Sequence, residues 1–185
     1  MTESMTGGMA SDEDVHTEAA LPTIYQVGEE DADGWRVGGA EPVRLAIALG
    51  VAGLLPQMAA VLATLLELDW LNAPAMALIY GALILSFLGG SWWGIALTRA
   101  EGRWRSILLL LGIGASLIGF CVQGLAGASP MRALLIVLGA AILSSWLVDR
   151  VLVREGMIGR WWGWLRLVLS VGLGGLTVLA GVIAG

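Results

Sequence analysis

The chain of 185 residues is 57% hydrophobic and 14% charged, with ten basic residues, fifteen acidic residues and one histidine, for a net charge of −5. Soluble domains are about 45–50% apolar and about 25% charged, so this balance excludes a soluble globular enzyme and predicts an all-α membrane protein. The one cysteine, Cys121, lies in an apolar run, and the one histidine, His16, lies in an acidic stretch; an internal disulfide framework, a four-thiolate metal site and intramembrane histidine chemistry are excluded with them.

Residues 1–43 carry ten acidic residues against a single arginine, Arg36. So little apolar area and so much like charge do not offset chain entropy, which predicts a disordered, acidic, cytoplasmic tail. It has neither the apolar core of a signal peptide nor the arginine-rich character of a transit peptide. Its segment Leu21–Tyr25 is the part suited to anchor on a basic partner.

Residues 44–185 then read as a transmembrane domain of five apolar runs: Leu45–Leu66, Ala75–Leu97, Ser106–Ala126, Met131–Val148 and Trp164–Ala184. Each is close to the 17–25 residues that a spanning helix needs, and short connections make successive helices antiparallel neighbours. The predicted fold is a five-helix antiparallel bundle.

Pro56 and Gln57 interrupt the first run. Proline removes a backbone donor and frees a carbonyl, and Gln57 either satisfies that carbonyl or faces a polar cavity. The second run holds the densest pattern, from Tyr80 and Gly81 through Ser86, Gly89 and Gly90 to Trp92, Trp93 and Gly94. Gly90 and Gly94 form a GxxxG pair that lets a neighbouring helix approach, with Ser86 available to hydrogen-bond across the contact. The alternative is a space beside Trp92 and Trp93 for a lipid tail or a flat hydrophobic ligand. Small residues recur at four-residue spacing in the later runs, as in Gly112 and Ser116, Ala141 and Ser145, and Ser170 and Gly174, which predicts tight packing throughout.

Arg132 and Arg166 fall within three residues of a predicted helix start, where a guanidinium snorkels to the interface. Asp149, Arg150 and Arg166 read as an interfacial charge cluster. No Asp, Glu or His is placed inside a span, and phosphate-loop, dinucleotide and metal-ligand spacings are missing, so no catalytic residue, metal, cofactor or nucleic-acid partner is assigned. Nine of the ten arginines fall on one side of the bundle and only Arg132 on the other. That split predicts a bacterial inner-membrane protein with a cytoplasmic N-terminus and a periplasmic C-terminus. Trp70, Trp92, Trp93, Trp104, Trp146, Trp161, Trp162 and Trp164 cluster near the predicted helix ends as interfacial anchors.

The Ala48–Pro56 stretch, the Tyr80–Gly94 motif, Asp149-Arg150 and Leu165-Arg166 resemble the transmembrane-protein-69-like family of uncharacterised membrane proteins, domain of unknown function 3429. The resemblance covers residues 43–185. It implies an integral membrane protein of about five helices, in bacterial inner membranes or mitochondria, with no assigned activity or cofactor. The resemblance implies that members often place a basic residue or histidine just before the motif tryptophan, where this chain has Trp92. Three roles follow as expectations: a non-enzymatic binding or assembly component with a membrane protein partner or a second copy, a carrier of a lipid or small hydrophobic ligand between Gln57, Tyr80 and Trp92, and an enzyme acting on lipid headgroups through Asp149 or Glu101.

Overall fold

The computed structural model describes residues 40–68 and 71–184. The acidic tail before residue 40, with His16 and Leu21–Tyr25, lies outside them, as do Asp69, Trp70 and Gly185. Among the described residues every regular element is a helix: α1 Ala40–Ala52, α2 Leu55–Leu65, α3 Ala73–Thr98, α4 Gly102–Gly124, α5 Met131–Arg154 and α6 Arg160–Ile183. α1 and α2 form one broken span, Val43–Leu65, so five spans are long and apolar enough to cross a membrane. At about 1.5 Å per residue each exceeds the roughly 30 Å hydrocarbon layer.

The surface is apolar and the interior carries the polar groups. Phe87, Leu110 and Phe120 are more than 70% exposed, while Gln57, Ser145, Asp149, Arg166, Ser170 and Thr177 are buried. Outward Leu and Phe with mostly hydrogen-bonded polar groups inside is the distribution that lipid demands. The protein is a multi-pass membrane protein.

The first span breaks where Pro56 requires it. Lacking an N–H, Pro56 cannot bond four residues back, and the chain tightens instead, with Gly53 N bonded to both Leu49 O and Gly50 O, and Leu54 N to Val51 O. Helix α2 then restarts with proline in its first turn, where the missing donor costs nothing.

The last connection differs most from the sequence expectation. α5 runs to Arg154 rather than Val148, and α6 starts at Arg160 rather than Trp164. Five residues, 155–159, join them. Gly156, at φ 71°, takes the left-handed conformation that a non-glycine residue resists. Its N–H bonds Val153 O and the Met157 N–H bonds Leu152 O, closing the helix with a Schellman cap. The charges at 149–163 read as loop in sequence, yet most lie within helix.

α5 and α6 pack antiparallel along a seam with a repeating four–three spacing. Asp149, Ser145, Ile142, Leu138 and Leu135 form the buried line on α5; Arg166, Ser170, Leu173, Thr177 and Ala180 form it on α6. Contacts between Asp149 and Arg166 and between Ser145 and Ser170 set the register, which places each residue of one line opposite its counterpart. Lower in the seam the backbones meet: a Cβ on Gly139 would stand 2.9 Å from Gly174 O. α3 lies at the centre and touches α2, α4, α5 and α6. One of its faces meets α5 through Gly81 and Trp92, and another meets α4 through Ala82 and Gly89.

Candidate functional site

Three helices converge on Asp149. The Nε of Arg166 donates to Asp149 Oδ2 at 2.9 Å, its Nη2 donates to Oδ1 at 3.1 Å, and Trp92 Nε1 donates to Oδ1 at 3.0 Å. Asp149 is 1% exposed, Arg166 3% and Trp92 4%. Desolvating two isolated charges costs several kcal/mol each, a penalty offset by close pairing and hydrogen bonding; here the carboxylate takes three donors, two of them from the paired guanidinium. Asp149 lies about 7 Å and Arg166 about 9 Å along their helices from the ends, at 1.5 Å per residue. They are not the snorkelling, interfacial charges expected from sequence. Arg166 is the seventh residue of α6, and its charge is neutralised across the seam; Arg150, next to Asp149, points its guanidinium over the Trp146 ring instead.

Trp92 is likewise buried rather than interfacial. Its indole N–H gives Asp149 a third donor. With three donors on its two oxygens and almost no exposure, the Asp149 carboxylate is held as one half of an ion pair, not presented to a substrate. Glu101 is the exposed N-cap position of α4.

A second polar node lies deeper. Gln57, fully buried, donates from Nε2 to Thr177 Oγ1 at 3.0 Å, and Thr177 donates to Leu173 O at 2.7 Å. Gln57 Oε1 has no partner. Between the two nodes, Ser145 and Ser170 face each other at 3.2 Å, and Ser145 also donates to Ile142 O. Tyr80 donates its hydroxyl to Gly53 O, in the break between α1 and α2. Pro56 and Gln57 thus divide the labour: proline opens the helix, Tyr80 fills a carbonyl at the opening, and Gln57 ties α2 to α6.

The remaining motif residues separate by face. Gly81 packs on Leu138, and a Cβ on Gly89 would come within 2.5 Å of Gly112 O and 2.9 Å of the Ala115 Cβ. Gly89 is the close-approach residue. Gly90 and Gly94, the predicted packing pair, have open space within 4 Å of where a Cβ would stand. Ser86 meets Ser116 at 2.9 Å, and Trp93 Nε1 donates to Leu109 O at 3.0 Å, both joining α3 to α4.

A cavity of about 210 Å³ lies between α1, α3, α5 and α6. Leu49, Gly53, Phe87, Leu88, Leu169 and Leu173 make most of its apolar wall, and Ser91, Arg166 and Ser170 add polar groups. It opens beside Leu49 and Phe87, which are exposed. Gln57, Tyr80 and Trp92, expected to enclose one space, belong instead to three separate hydrogen-bonded nodes. The cavity residues Leu169, Ser170 and Leu173 drew no attention in sequence as ligand contacts, because each reads as an ordinary packing position. Among the described residues no group of His, Cys, Asp and Glu is placed to hold a metal ion.

No curated protein and no solved structure matches the chain. A match to the family described as "Protein of unknown function (DUF3429)" spans residues 42–182, from just before the first span to the penultimate residue of the last. The chain belongs to the DUF3429 family of proteins of unknown function, and its five-span bundle with the Trp92–Asp149–Arg166 cluster is a membrane-embedded member of it.

Proposed function

We propose that this protein is a non-enzymatic binding component of a bacterial inner membrane, and that the ligand is the apolar chain of a lipid-like amphiphile seated in the cavity beside Arg166. The observation that carries this reading is the cavity itself: about 210 Å³, almost wholly apolar, walled by four helices and open towards the lipid-facing surface. Sites for drug-sized ligands are about 300–1,000 Å³, so the space suits a segment of a chain rather than a whole compact molecule. Arg166 spends two of its five N–H donors on Asp149. The other three give an amphiphile's polar atom donors at the cavity wall, where the Ser91 and Ser170 hydroxyls, bonded to Leu88 O and to Ser145, offer only acceptors.

The test is photo-crosslinking of the purified protein with a diazirine-bearing fatty acid, read by peptide mass spectrometry. Labelling concentrated at Leu169, Leu173 and Phe87, and reduced to the level of the lipid-facing Leu110 in Ser91→Phe, is the expected result. Labelling spread evenly over Leu110, Phe120 and the cavity residues overturns the reading.

A second reading rests on a different observation. Gly90 and Gly94 lie on α3 with nothing packed against them, and a bare GxxxG face is a surface on which another membrane helix packs closely. On that reading the protein is an assembly component whose partner, or second copy, covers α3.

A further inference from the structure

On the side of α6 away from the cavity, the ends of α5 and α6 enclose a groove of about 780 Å³. Three arginines line it, Arg150 and Arg154 from α5 and Arg160 from the first position of α6, with Trp146, Trp161 and Trp164 between them. All three arginines are exposed, and none has a carboxylate partner among the described residues. The nearest acid on α5, Asp149, is committed to Arg166 inside the bundle. Glu155, the C-cap of α5, is exposed and does not line the groove.

The groove is also sorted by depth. From Arg154 to Trp146 on α5, and from Arg160 to Leu167 on α6, it descends about 10–12 Å along the helices at 1.5 Å per residue, passing from Arg154 and Arg160 at the rim, through Arg150 and Trp164 about one turn down, to Trp146 and Leu167. Trp164 is 67% exposed and Arg150 lies 5.3 Å from the centre of the Trp146 ring. Cations in the outer turn and a tryptophan ring and Leu167 at the inner end follow the order of headgroup and chain in a phospholipid. Helix α6 adds its own field: the N-cap Gly159 offers no side-chain oxygen to the first-turn N–H groups, and these favour an anion.

We infer that this groove is a binding site for an anionic phospholipid, with the headgroup phosphate held by Arg150, Arg154 and Arg160 and one acyl chain lying along Trp164 and Leu167. Basic pockets between transmembrane helices favour such headgroups. A free phosphate has nothing with which to use the tryptophans and Leu167, and a zwitterionic lipid leaves the excess positive charge unmatched. The site is separate from the cavity and does not depend on its occupant.

Native mass spectrometry of the purified protein, titrated in detergent with phosphatidylglycerol or phosphatidylcholine, tests the inference. The expected result is preferential retention of phosphatidylglycerol, and a loss of at least about tenfold in its apparent affinity in the Arg150→Gln, Arg154→Gln, Arg160→Gln variant, with phosphatidylcholine unchanged. The control is Arg44→Gln, Arg103→Gln, Arg132→Gln, which removes equal charge outside the groove. An equal loss in that control, or no preference between the lipids in the wild type, overturns the inference. Displacement of phosphatidylglycerol by millimolar inorganic phosphate, pointing to a simple anion site, overturns it too. Arg154→Gln alone, an exposed substitution, keeps the test decisive if the triple variant does not fold: weakened phosphatidylglycerol binding supports the site and unchanged binding refutes it.

Discussion

Asp149, Arg166 and Trp92 differ in what each loses when removed. Breaking a buried ion pair from one side strands the other charge, at a cost of about 3–5 kcal/mol, whereas replacing both partners by apolar residues is often neutral or better. Losing a hydrogen bond to a charged group costs about 1.5–3 kcal/mol. Asp149→Asn is therefore expected to lower the thermal unfolding midpoint in detergent most, Trp92→Phe less, and Asp149→Leu with Arg166→Leu least. Circular dichroism melts of the three variants check the order. A larger loss in Trp92→Phe than in Asp149→Asn would show that the indole, not the ion pair, holds the cluster. Each of the three residues was already conspicuous in sequence, Asp149 and Arg166 as charges and Trp92 as part of the glycine–tryptophan motif. Their meeting was not legible, because Trp92 and Asp149 are 57 positions apart and only the register between helices brings them together.

The helices themselves were legible as apolar runs, since length and hydropathy alone decide whether a segment spans. Their ends were less so. Hydropathy stops at the first charge, but α5 continues six residues past Val148 to Arg154 because Asp149 is neutralised inside the bundle and Arg150 and Arg154 face outward. Small residues posed the converse problem. Gly89, Gly90 and Gly94 look alike in sequence, and a rotation of one residue about the α3 axis separates a packed glycine from an open one. A Cβ at position 89 collides with the Gly112 carbonyl and with Ala115, while one at position 90 meets nothing. Gly89→Ala is expected to destabilise by about 1–3 kcal/mol through overpacking, and Gly90→Ala to be neutral or stabilising by up to about 1 kcal/mol through helix propensity. Thermal melts of the two variants in detergent give the sign. If Gly90→Ala instead dissociates a complex on native gels while leaving the melt unchanged, the open face is the contact of the assembly reading.

At the scale of the whole bundle the distribution of arginines becomes an orientation. The described helices bring Arg44, Arg99, Arg103, Arg105, Arg150, Arg154 and Arg160 to one end and leave Arg132 at the other. Arg166, withdrawn into its ion pair, no longer counts among the flanking charges. The asymmetry survives that correction, and arginines in short flanking loops favour the cytoplasmic side. The α5–α6 turn at 155–159 should then be cytoplasmic and the α4–α5 turn at 125–130 periplasmic. With Cys121→Ser removing the one native thiol, a cysteine placed at Glu155 or at Ser129 reports each side through a membrane-impermeant maleimide. In cells with a permeabilised outer membrane and an intact inner membrane, Ser129→Cys is expected to label and Glu155→Cys to label only after the inner membrane is opened. The reverse pattern would turn the bundle over, placing the arginine-lined groove in the outer leaflet and the Asp149–Arg166 cluster towards the periplasm.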